Sequence, residues 1–114
     1  MSDSFTFFER FEDIENLPND GILSRTVLNE PSLRLVLFHF AEGQELTDHT
    51  SATPAVIQII SGEATLRLGE ETREAHPGTL VYMPAKLNHA VFAKTNTTML
   101  LHMLKSAKPA QSAE

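Results

Sequence analysis

Two histidines set the chemical question in this chain. His49 has Ser51 two residues after it, and His89 lies roughly one hairpin beyond the apolar stretch AVIQIISG at residues 55–62. A neutral imidazole offers a lone pair that can ligate a transition metal, take a proton as a general base, or accept a hydrogen bond. The sequence has no cysteine, which excludes disulfides, thiolate catalysis and sulfur-ligated zinc. A divalent transition metal usually takes three or more protein ligands, so His49 and His89 need a third group. His102 is the free candidate if its strand register turns it inward, and its apolar neighbours Leu101 and Met103 leave that orientation open. Ser51 is a poor ligand for zinc or iron. His39, within the apolar run LRLVLFHF, reads as a satisfied core or interface residue, and His76, before Pro77-Gly78, as a solvated turn residue.

The elements that must position these groups are short strands. Residues 55–61 run directly into Ser61-Gly62, and the Thr- and Leu-containing run 64–68 follows at once, which is a hairpin signature. Further strands are expected at 22–28, 33–40, 46–51, 72–75, 79–83, 89–93 and 98–104, separated by turns such as Asn29-Glu30-Pro31 and Gly69-Glu70-Glu71. Strand 33–40 is apolar at both parities, with Leu33, Leu35 and Leu37 on one face and Val36, Phe38 and Phe40 on the other. Both faces then need cover, which predicts a homodimer built on one of them. Phe7, Phe11 and Ile14 recur at helical spacing and predict a short helix within residues 5–17, with a strand at 5–8 as the rival, covering the barrel or the dimer. The expected organisation is an N-terminal segment 1–20 packing on a barrel of residues 21–105, followed by a disordered tail 106–114 without apolar pattern.

Composition narrows the classes. At 114 residues the chain forms one domain. A net charge of -6 without a Lys/Arg cluster argues against nucleic-acid or anionic-membrane partners. The opening MSDSFTFFERFED has no signal-peptide pattern, and no apolar run approaches the ~20 residues that span a bilayer, so a cytoplasmic protein is expected.

The stretch from Gly43 to Gly62 resembles the first motif of the cupin superfamily, a glycine, five residues, His-x-His, three or four residues, Glu, six residues and glycine. Gly43, His49 and Gly62 fall in register. The second motif is a glycine, five residues, Pro-x-Gly, two residues, His, three residues and Asn, and Gly78, Pro84 and His89 match it. The resemblance covers about half the chain and implies an all-β double-stranded β-helix, or jelly-roll barrel, of the RmlC-like, cupin type-2 conserved-barrel kind. Four positions depart from it: Ser51 replaces the second histidine, Ala55 the glutamate, Lys86 the second-motif glycine and Ala93 the asparagine. In metal-binding members the two first-motif histidines, the glutamate and the second-motif histidine hold the ion, so only His49 and His89 carry over and the metal motif is degenerate.

In the family register His49 and Ser51 point into the barrel with Ala55, Ile57 and Ile59, and with Val81, Met83, His89 and Val91, an apolar chamber holding two imidazoles and a hydroxyl. Some metal-free members acting on nucleotide sugars pair a histidine base, oriented by an aspartate, with a tyrosine acid. Here Asp48 and Tyr82 have the opposite parity to the chamber residues, which counts against that chemistry. Three readings follow. One is a homodimeric barrel binding a small, largely apolar molecule without a complete metal centre. The second is a metal-dependent enzyme of dioxygenase or isomerase type, with His49, His89 and His102 on a divalent transition metal. The third is a structural or interaction dimer without a ligand.

Overall fold

The computed structural model describes residues 4–11 and 21–105. Nine strands follow one another along the chain: β1 (Ile22–Glu30), β2 (Leu33–Phe40), β3 (Glu45–His49), β4 (Ala55–Ser61), β5 (Ala64–Leu68), β6 (Glu71–Ala75), β7 (Leu80–Met83), β8 (His89–Ala93) and β9 (Thr97–Leu104). They form a five-stranded sheet in the order β1-β2-β9-β4-β7 and a four-stranded sheet in the order β3-β8-β5-β6, with antiparallel pairing throughout. This is a jelly-roll barrel: the strand-and-turn pattern predicts its many short strands, and the motif resemblance implies its jelly-roll arrangement. Among the described residues no helix is long and apolar enough to cross a membrane.

Alternation explains the core. On β4 the odd residues Ala55, Ile57 and Ile59 are buried, and Val56, Gln58 and Ile60 take the other face. The buried set packs between the sheets with Phe40, Leu66, Val91 and Met99. Burying a branched or aromatic side chain of this size stabilises by about 1.5–3 kcal/mol, so this stripe holds the two sheets together. The outer face of β2 carries a second cluster of Leu35, Leu37 and Leu100, against which Phe11 packs. Both faces of β2 are therefore covered within the chain itself, so β2 does not leave open the apolar face on which the homodimer expectation rests.

Two expectations need correction. The turn after β1 is Pro31-Ser32, because Asn29 and Glu30 still pair with Arg34 and Leu33. A bulge between Thr26 and Leu28 lets the nine residues of β1 run beside the eight of β2. Residues 5–11 form neither the helix nor the rival strand. Phe5 and Phe7 are 86% and 74% exposed, whereas the rings of Phe8 and Phe11 lie 5.0 Å apart, tilted at 37°, so the aromatics do not share the single buried face a short helix needs. The remainder of the 5–17 reading, with Ile14, lies outside the described residues, as does the 106–114 tail.

The β4–β5 turn is fixed by Gly62. Its φ is +89°, and a Cβ there would meet the Asn96 carbonyl oxygen at 2.2 Å and Thr97 Cα at 2.7 Å. Gly78 has a similar φ of +96° but faces open space. Gly78→Ala should therefore cost only the left-handed backbone penalty of about 1–2 kcal/mol. Gly62→Ala adds overpacking of about 1–3 kcal/mol, because backbone rather than a flexible side-chain tip must move. Urea unfolding of the two variants checks this ordering, and equal losses would show that the β8–β9 turn yields freely.

Candidate functional site

The site is built from the β3–β8 pair. His49 lies directly opposite His89 across the ladder, so both imidazoles project from one face of the sheet. Their ring centroids are 4.3 Å apart at 60°. His89 is only 5% exposed, whereas His49 is exposed at the open end of edge strand β3.

Both rings are held in the same way. His89 Nδ1 donates to the Leu87 carbonyl at 3.0 Å, and His49 Nδ1 donates to the Thr47 carbonyl at 3.1 Å. A carbonyl oxygen can only accept, so each Nδ1 carries a proton, and an imidazole in that tautomer has its lone pair on Nε2. Burial lowers the His89 pKa from its ordinary 6.5; the Leu87 carbonyl opposes this and the neighbouring His49 adds to it. The buried imidazole is accordingly neutral near neutral pH.

These rings rim a pocket of about 140 Å³. Thr50 and Ser51 complete its polar side, while Ala55, Met83, Leu101 and Met103 form its apolar wall. Ser51 Oγ accepts the Thr53 N–H at 3.3 Å, which leaves its own O–H free to donate. None of the lining residues carries a fixed charge. Asp48 turns to the other face of β3 and pairs with Arg67.

Five of the residues expected in the chamber do line it: His49, Ser51, Ala55, Met83 and His89. Ile57, Ile59 and Val91 do not. They share the inward face, but each is 1% exposed and fills the barrel beneath the pocket, with Val81 packed against them. Alternation gives the face of a strand but not the depth along the barrel. Thr50, Leu101 and Met103 were missed; the parity of β9 could have supplied the last two once its register was known.

His102 is not brought to the pair. It lies opposite Val56 and bonds Gln58 Oε1 at 3.1 Å through Nε2, on the outer face with Leu100. Leu101 and Met103 take the inward positions instead. His39 is 4% exposed, held by Thr98 Oγ1 at 3.0 Å on that same outer face, and its Nε2 has no partner among the described residues. His76 is exposed and paired with Glu63, in keeping with a turn residue. Tyr82 is 58% exposed on the outer face and takes no part in the pocket.

A face-to-face antiparallel barrel with a histidine-rimmed pocket at one end defines the class. The family model described as "Cupin domain" matches residues 36–105, well over half the chain, and the protein belongs to the cupin family. A conserved Streptococcus pyogenes protein of unknown function is 33% identical, with 79% of each chain covered and a TM-score of 0.73. A cupin superfamily protein from Desulfitobacterium hafniense is 22% identical over 79% of this chain and 83% of its own, with a TM-score of 0.75. An RmlC-like cupin from Desulfovibrio desulfuricans is also 22% identical, over 86% of this chain and 97% of its own, with a TM-score of 0.73. These last two likenesses concern the fold. No curated protein matches the chain.

Many cupins hold a metal between their motif residues, and the donor set here does not fit one. Two imidazoles and the hydroxyl residues Thr50 and Ser51 line the pocket, and Ala55 stands where the family carries its carboxylate. Among the described residues no three His, Cys, Asp or Glu side chains gather where they could hold an ion. Lys86, at the family's glycine position, keeps the glycine-like backbone with φ +71°, so the loop geometry persists although the ligand set does not.

Three histidines have lowered pKa values. The cause is burial for His102, burial and then the Arg25 charge for His39, and chiefly burial for His89. Below their ordinary value of 6.5 the unfolded chain therefore binds protons that the fold resists, and stability falls as pH drops. The urea midpoint should be lower near about pH 5 than near about pH 7.5, and His39→Leu should narrow that difference by removing one resisting group. An undiminished difference in His39→Leu would show that His39 does not contribute.

Proposed function

We propose that this cupin is a small-molecule-binding barrel that works without a resident metal, using His49 and His89 as paired hydrogen-bond acceptors. The observation that carries the reading is the pair of carbonyl-locked imidazoles above an apolar floor. Each Nδ1 is occupied, so each Nε2 lone pair is left for a ligand. At about 140 Å³ the pocket is well below the ~300–1,000 Å³ of drug-sized sites, which selects a compact ligand. Its floor of Ala55, Met83, Leu101 and Met103 selects an apolar body. The competing metal-enzyme reading would require a third protein ligand, and the candidate imidazole for that place, His102, is committed to Gln58 on the other side of its strand.

Protein purified without an affinity tag should contain far less than one equivalent of any first-row transition metal. A stoichiometric metal that disappears in both His49→Ala and His89→Ala would overturn the reading.

We also propose a second copy of the chain as partner, docking on the outer face of the five-stranded sheet. Leu23, Leu80 and Tyr82 remain 44%, 62% and 58% exposed there, flanking the buried Leu35, Leu37 and Leu100. Light scattering coupled to size exclusion should give a dimer that Leu80→Lys with Tyr82→Asp converts to monomer. A wild-type monomer at tens of micromolar would remove the proposal.

A further inference from the structure

Resting on that reading, we propose that the pocket's ligand is a small neutral phenol, its ring against the Met83 and Met103 thioethers and its hydroxyl bridging histidine Nε2 and Ser51 Oγ. Three independent features converge on this chemistry.

The first is polarity. The rim offers lone pairs at His49 and His89 Nε2, because their Nδ1 protons are already given to the Thr47 and Leu87 carbonyls. Ser51 is the complement, since its oxygen accepts the Thr53 N–H and its own proton is uncommitted. A hydroxyl group donates one hydrogen bond and accepts others, so a single ligand O–H can satisfy both sides of this rim. A carboxylate has no proton to give, and it would meet imidazole lone pairs with no fixed cation among the lining residues.

The second feature is the wall. Two of its four apolar side chains, Met83 and Met103, are methionines, whose polarizable sulfurs make favourable contacts with aromatic rings. The third is size. A cavity of about 150 Å³ is known to hold benzene, and this pocket is close to that at about 140 Å³. A six-membered ring carrying a single small hydroxyl is the ligand of about that size.

The methionines also report on the test. The chain has four, of which Met83 and Met103 line the pocket and Met99 is packed in the core at 2% exposure. Full-length protein carrying ¹³C-methyl methionine is titrated separately with phenol, toluene, cyclohexanol and benzoate at neutral pH. The expected result is that phenol shifts the Met83 and Met103 methyl signals while Met99 stays in place. Phenol should saturate at concentrations about tenfold below toluene and benzoate, the loss expected for a missing donor. Cyclohexanol, which keeps the hydroxyl but not the ring, should be weaker than phenol by about threefold or more. If the four probes move Met83 and Met103 with equal affinity, or benzoate leads, the phenol assignment is overturned while the pocket stands as a binding site. If none of them moves either signal, the binding reading itself falls.

Discussion

The placement of His49 opposite His89 depends on one antiparallel register. Side chains alternate with a period of two along each strand, so a slip of one residue between β3 and β8 would turn one imidazole to the outside and dismantle the pocket rim. β8 is well placed to resist that slip. It lies between β3 and β5, and its other inward residues, Val91 and Ala93, are buried in the core. β3 has a neighbour on one side only, and its pairing with β8 is irregular between Leu46 and His49. The site thus joins a fixed histidine on an inner strand to an exposed one on an edge strand, a usual arrangement where a ligand must enter.

The chemistry follows from what the rim has kept and what it has lost. An acidic residue at position 55 would make the pocket anionic and draw a cation between the imidazoles. Alanine there leaves two imidazoles above hydrocarbon and thioether. The nearest carboxylate in sequence, Asp48, is directed to Arg67 across the outer surface. Exposed ion pairs of this kind contribute little to stability, about 0–1 kcal/mol. Its consequence here is geometric: strand parity keeps the Asp48 charge off the pocket face.

Much of the barrel was legible in the sequence because alternation and turn residues are local signals. Runs such as Ala55–Ser61 and Leu33–Phe40 declare their own limits through Gly, Pro and Asn neighbours. The histidine pair was legible through motif spacing, which encodes which strands become neighbours. Depth was not legible. Ala55 and Ile59 share a face and differ by two alternations, yet one touches the pocket and the other is sealed in the core. His102 failed for a related reason: with apolar residues on both sides of it, β9 has no sequence asymmetry, and only its pairing with Val56 settles which face is which. The N-terminal aromatics misled because helical spacing is a weak signal over so short a segment: Phe11 packs on the outer cluster while Phe7 is 74% exposed, and tertiary context decides short helices.

That lack of asymmetry in β9 has a mechanical meaning. Leu101 and Met103 form the pocket wall, while Leu100 and His102, the residues between and beside them, pack on the outer sheet face. Protein interiors are packed at near-crystalline density, and β9 is buried from Thr97 to Leu100 and half-buried from Leu101 to Leu104, where its inward side chains meet the pocket. Leu100 and Leu101, like His102 and Met103, thus place neighbouring side chains on opposite faces of one backbone. The outer face and the pocket are two sides of one strand, and the shape of the ligand site is set as much by what covers the sheet as by what fills the barrel.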